Sequence, residues 1–168
     1  AYPGLCEVDM GVSLREIINN YGGGMKQDKK FKAALVGGAA GVFIPENLLD
    51  VKMDYASLKE YSAVLGSGAI LVIGEDFSMV EMLYSVIRFF RHESCGKCSP
   101  CSKGTQELFM MINRIRNGIG KKEDLDKMLL LADTMKHTAF CALGQSLIMP
   151  IQSALDNYKD EFLAIMKE

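Results

Sequence analysis

The chain has 168 residues and a formal net charge of −2, with 49% hydrophobic and 24% charged side chains. This composition supports a packed core and excludes wholesale disorder, and the slightly negative balance argues against broad binding of nucleic-acid phosphates. The longest apolar runs, residues 68–74 and 128–132, fall far short of the roughly 20 residues a membrane-spanning helix needs, and residues 1–10 lack the basic-then-apolar pattern of a signal peptide.

Charge and glycine usage shift near residue 77. Residues 1–77 carry a net −3 and most of the glycines, whereas residues 78–168 carry +1. The first part reads as short strands, turns and one or two helices. Residues 7–12 fit a strand. Ser13 and Glu16 then fit a capping box that opens a helix through Ile17 and Ile18, and Gly22, Gly23 and Gly24 end it. Phe31–Val36 and residues 42–44 read as strands joined through Gly37, Gly38 and Gly41, with Pro45 closing the second. Residues 55–65 fit a helix ended by Gly66, and residues 69–73 a buried strand. Neither glycine cluster leads from a strand into a helix. A turn or strand-crossing role is therefore favoured over phosphate binding.

The second part is mostly helical. Ser78 is a natural N-cap. Val80, Leu83, Ile87 and Phe90 share one face of the helix that follows. Leu108, Met111, Ile112 and Ile115 mark a second apolar stripe; Leu125, Met128, Leu129 and Ala132 a third; Leu147, Ile151, Leu155 and Tyr158 a fourth. Four amphipathic helices with short connections make a bundle the natural packing solution. Eight of the 11 methionines lie here and read as adaptable core filling.

Five cysteines are an odd number for a disulfide framework. Three of them, Cys95, Cys98 and Cys101, form a C-x2-C-x2-C run in which Gly96 and Pro100 are expected to keep the backbone out of regular helix. Cys141 follows 40 residues after Cys101, room for an out-and-back helical hairpin that would return it to the same end of the bundle. Three local thiolates and one remote thiolate suit a [4Fe–4S] cubane. Structural zinc competes, although it usually takes paired C-x2-4-C units or adds histidine. Redox-active cysteines are a third reading. His137, four residues before Cys141, could complete a different set, but both His137 and His92 are read as supporting residues. Arg91, Lys97 and Lys103 against Glu93 give the loop a local +2, which suits an anionic cluster. Cys6 is remote and reads as an ordinary thiol.

The run Glu93-Ser94-Cys95-Gly96-Lys97-Cys98-Ser99-Pro100-Cys101, followed by Gly104 and Thr105, resembles the cluster loop of the NADH-binding flavoprotein subunit of complex I. The same subunit type occurs in NAD(P)-reducing hydrogenases and NAD-dependent formate dehydrogenases. Phe140-Cys141-Ala142-Leu143-Gly144-Gln145 and Pro150 are similar to the family's fourth-ligand segment, and Leu65-Gly66-Ser67-Gly68 to its pattern before the loop. Residues 1–77 resemble the family's SLBB domain, a ubiquitin-like β-grasp. The resemblance covers nearly the whole chain. The sequence departs from it at Ser102-Lys103, where the family usually has Arg-Glu; these are not ligand positions.

The resemblance implies an α+β chain with two domains: an SLBB-like β-grasp at residues 1–77 and an all-α four-helix bundle at residues 78–168. It also implies a [4Fe–4S] cluster on Cys95, Cys98, Cys101 and Cys141 that takes electrons from FMN in an NAD(P)H-linked oxidoreductase. The family's FMN- and NADH-binding domain precedes the β-grasp and has no counterpart here, so the chain is expected to be a C-terminal piece, inactive alone in NADH oxidation. Expected partners are the other subunits of a multi-subunit oxidoreductase, including a small subunit of the [2Fe–2S] type, with no nucleic acid and no direct membrane insertion. The expected setting is cytoplasmic, either free or held peripherally at the membrane by partner subunits. A structural zinc docking module and a β-grasp module binding a soluble ligand near residues 37–41 remain the alternatives.

Overall fold

A computed structural model describes residues 2–26 and 29–166. The chain divides into two compact units, one ending at Phe77 and the other beginning at Ser78. The architecture is α+β, a small antiparallel sheet followed by helices.

The first unit opens without the expected strand. Residues 7–12 are irregular, and only Ser13 forms a bridge, to Lys52. Val12 and Leu14 nonetheless form backbone hydrogen bonds with Met53 and Val51, so the segment is held without becoming a ladder. The capping box forms as the sequence implies. Ser13 Oγ accepts from Glu16 N–H, and the Glu16 carboxylate accepts from Ser13 N–H at 3.0 Å. The Ser13 hydroxyl, which donates to the Glu16 carboxylate at 2.7 Å, and then the Ser13 N–H hold that carboxyl below its ordinary pKa. The helix is brief: α1 (Leu14–Glu16) runs straight into a π-helical turn, Ile17–Tyr21.

Strand β1 (Phe31–Val36) is central, with β2 (Val42–Pro45) and β3 (Ile70–Gly74) antiparallel on either side. Leu35 pairs with Phe43 on one edge and Leu71 on the other. Ala33, Ala34, Leu35 and Val36 are all buried, as a central strand covered on both faces should be. Strand β3, whose apolar run suggests full burial, is an edge strand: Ile73 is buried but Leu71 is half exposed. Helix α2 (Tyr55–Glu60) is shorter than the apolar pattern implies, because the chain turns at Ser62 with φ of 55°. The β1–β2 glycines serve the turn. At Gly37, φ is 97°, and a Cβ there would lie 2.6 Å from the Val64 carbonyl oxygen. The loop is packed against backbone, and the ≈310 Å³ groove of this unit lies elsewhere, lined by Cys6, Met10, Ile17, Met53, Leu65 and Ile70 among others.

The second unit comprises α3 (Met79–Glu93), α4 (Ser99–Arg116), α5 (Lys122–Thr138), the short α6 (Ala142–Ser146) and α7 (Ile148–Ile165). Ser78 caps α3 by accepting from Glu81 N–H. Helix α3 packs on α4 and α7, and α5 packs on α4, α6 and α7. The four predicted stripes form the core: Leu83, Ile87, Leu108, Ile112, Leu125, Met128 and Ile151 are fully buried. Each such side chain stabilises the fold by roughly 1.5–3 kcal/mol relative to exposure. The α4–α5 turn is clamped by buried Asp124, which accepts from Lys121 N–H at 3.0 Å and from Arg114 Nη2 at 2.8 Å. Helix α7 kinks at Tyr158, whose φ and ψ are −135° and 21°.

Candidate metal centre

The cysteine segment is more helical than its sequence suggests. Ser94 ends α3, Gly96 turns with φ of 78°, and Cys98 is already the N-cap of α4. Pro100 sits in the first turn, where a missing N–H costs nothing and the fixed φ suits the helix. The proline therefore starts the helix. Cys95 and Gly96 lie in open loop, and Cys101 falls in the first turn of α4, three residues after Cys98. That spacing places Cys98 and Cys101 on neighbouring positions of one helical face. Both are buried, against Ala139 and Leu143.

Helix α4 runs away from this end and α5 returns to it. After α5 the chain turns at Ala139, and Cys141 takes the N-cap position of α6. The turn is tied by Gln145 Nε2, which donates to the Ala139 carbonyl at 2.8 Å. Gly144 permits the close approach of α6 to the end of α5 and to α4: a Cβ there would lie 2.6 Å from Ala139 Cβ and 3.1 Å from Cys101 Cβ. Thr105, fully buried, donates its hydroxyl to the Cys101 carbonyl at 2.8 Å and fixes the first turn from the other side.

Backbone and hydroxyl groups converge on the sulfurs. Hydrogen bonds from the backbone N–H groups of Phe140 and Cys101 push the Cys98 thiol below its ordinary pKa. Burial pushes the Cys101 thiol up; Ser94, whose Oγ is 3.3 Å from Cys101 Sγ, opposes that shift, and the negative charge of Cys98, Cys141 and Cys95 adds to it. Cys95, Cys98 and Cys141 thus each lie within electrostatic range of Cys101. All five cysteines of the chain are free thiols; Cys95 and Cys141 are exposed, as is the remote Cys6. Among the described residues, no three Cys, His, Asp or Glu side chains close around a single point. The donor chemistry fits an iron–sulfur cluster: thiol sulfurs, N–H groups aimed at sulfur, and a helix N-terminus that favours negative charge.

The basic residues are placed less uniformly than a local charge count suggests. Lys97 is exposed and Lys103 lies on the surface of α4. Arg91 stacks over Phe109, 4.5 Å from the ring centroid, at an open groove of ≈810 Å³ that Arg88, Phe89 and His92 also line. His137 is exposed, and its Nδ1 lies 2.8 Å from the Asp133 carbonyl. Ser94 and the Phe140 N–H are sulfur partners that residue spacing does not reveal. Ser94 lies beside Cys95 in the motif, but its distance to Cys101 depends on how α3 ends.

Residues 81–165 match a family model described as the NADH-ubiquinone oxidoreductase-F iron-sulfur binding region. The NADP-reducing hydrogenase subunit HndC of Solidesulfovibrio fructosivorans is 42% identical over 161 residues, covering 96% of this chain and 33% of that protein. An F-type NADH-quinone oxidoreductase subunit of Rhizobium meliloti is 39% identical over 166 residues, covering 99% of this chain and 39% of that protein. Among solved structures, an NAD+-reducing [NiFe]-hydrogenase in the H2-reduced state superposes with a TM-score of 0.86 at 25% identity, over 99% of this chain and 28% of that one. The chain thus spans between a third and two fifths of the length of these two curated relatives.

Proposed function

Because the chain belongs to the NADH-ubiquinone oxidoreductase-F iron-sulfur binding region family, we propose that Cys95, Cys98, Cys101 and Cys141 hold a [4Fe–4S] cluster used for electron transfer. The observation that carries this reading is the sulfur environment at one end of the bundle. Buried Cys98 and Cys101 sit at the start of α4, with backbone N–H donors on Cys98, and the α4–α5 hairpin brings Cys141 back to them. When bound, such a cluster supplies one-electron chemistry at a potential set by charge, hydrogen bonding and solvent exposure. The protein's part is ligation, burial and orientation, so the cysteines act as ligands and not as nucleophiles.

On the resemblance of the cysteine loop to that of the NADH-binding flavoprotein subunit of complex I, the proposed electron source is a flavin that takes hydride from NADH or NADPH, with FMN and the nicotinamide held by a separate domain. The electrons leave toward other subunits of a multi-subunit oxidoreductase, a small [2Fe–2S] subunit among them. The first unit serves this assembly as an SLBB-like β-grasp domain, with residues 1–77 and 78–168 as separate domains. No helix among the described residues is long and apolar enough to cross a membrane. The proposed setting, on the same resemblance, is that of a cytoplasmic subunit held peripherally by its partners.

Anaerobic reconstitution with iron and sulfide tests the cluster. The expected product holds about four irons per chain and has a broad visible absorption bleached by dithionite. Stoichiometric zinc in a colourless protein overturns the proposal. A Cys141→Ala variant retaining four irons overturns the ligand set.

A further inference from the structure

Helix α3 ends at Ser94, a half-buried residue with φ of −65° and ψ of 117°. Its Oγ lies 3.3 Å from Cys101 Sγ, across the loop that carries Cys95 and Cys98. While Cys101 is a thiol, either atom can donate. Once Cys101 ligates a metal its sulfur carries no proton, so only the Ser94 hydroxyl can donate. We propose that Ser94 is a positioning residue whose O–H···Sγ bond to Cys101 raises the reduction potential of the cluster.

The direction follows from charge. Reduction adds negative charge that is shared onto the ligand sulfurs, and a hydrogen bond to a more negative acceptor is stronger. The bond therefore stabilises the reduced state more than the oxidised one. Its effect is large here because Cys101 is buried, and in a low local dielectric a charged acceptor depends on the donors the protein aims at it. Cys98 is supplied by backbone N–H groups of Phe140 and Cys101, which no side-chain substitution removes. Ser94 supplies a side-chain donor to this environment, and so marks a position at which sequence can adjust the potential without changing a ligand.

This inference rests on the proposed cluster. The test uses the anaerobically reconstituted chain as wild type, Ser94→Ala, Ser94→Val and Ser94→Thr, each with its iron counted and its potential measured by an EPR-monitored titration. Valine and threonine match in shape and differ in the hydroxyl, so this pair carries the test if the alanine variant loads poorly. The expected result is full iron in each and, without the hydroxyl, about a tenfold shift of the one-electron equilibrium toward the oxidised state. That corresponds to a potential lower by about 59 mV, with threonine returned to near the wild-type value. A loaded wild type whose potential the alanine and valine variants share overturns the role of Ser94 alone. So does a threonine variant shifted as far as valine. A wild-type chain that takes up no iron overturns the proposed function, and the inference with it.

Discussion

Gly144→Ala is the sharpest packing test of the site. Gly144 lies in α6 and is buried. On an exposed helix the added methyl would favour folding by about 1 kcal/mol. Here it would lie 2.6 Å from Ala139 Cβ and 3.1 Å from Cys101 Cβ, with Cys101 Sγ at 3.4 Å. Both Cβ atoms are fixed to backbone, so relief requires α6 to move away from the end of α5 at Ala139 as well as from the first turn of α4. Overpacking of this kind costs typically about 1–3 kcal/mol. Where the clash is at the upper end of that range, a net loss of about 1–2 kcal/mol remains after the helix gain. For a chain of this size that lowers the melting temperature by about 2–8 °C. The same displacement moves Cys141 away from Cys101, so iron retention falls along with stability. Thermal unfolding with and without reconstitution, together with iron analysis, measures both effects. A Gly144→Ala protein that melts at or above the wild-type temperature and keeps all its iron would refute the close-approach argument.

The turn clamp and the helix kink give two further expectations. Asp124→Ala removes the acceptor for Lys121 N–H and Arg114, and is expected to cost about 2 kcal/mol in urea unfolding; a loss below about 0.5 kcal/mol would show that the clamp is dispensable. Burial, assisted by Glu161, pushes the Tyr158 phenol up to about 12. The unfolded chain releases that proton near pH 10 and the folded chain holds it, so stability should fall as pH rises from about 10 to 12, by about 1.4 kcal/mol per unit at most. Tyr158→Phe should flatten that fall, and an unchanged alkaline profile in the variant would sink the assignment.

The helical stripes and the four candidate ligands are legible in the sequence because each depends on spacing along the chain. Periods of three and four residues identify a buried face whatever it packs against, and C-x2-C-x2-C keeps three thiols close along a short stretch of chain. The first unit is less legible because its elements depend on partners. The alternation of residues 7–12 has no strand to pair with beyond a single bridge at Ser13. The apolar run of β3 does not reveal that it lies at an edge, where Leu71 meets solvent. The apolar pattern after Tyr55 continues past the point where Ser62 turns the chain.

In the cysteine loop one residue carries opposite meanings in two positions. Pro100 breaks a helix if it falls in the interior, but in the first turn proline is favoured, not excluded. With α4 starting at Ser99, Cys98 and Cys101 become an i, i+3 pair on one helical face, which is why these two are buried while Cys95, on the open loop, is exposed. That asymmetry follows from helix phase and is in principle readable from sequence. The Ser94 hydroxyl and the Phe140 N–H are not, because their distances to sulfur are set by how α3 stops and α5 returns. If the proposed cluster forms, its ligands follow from the motif, while its potential depends on donors that only the fold places.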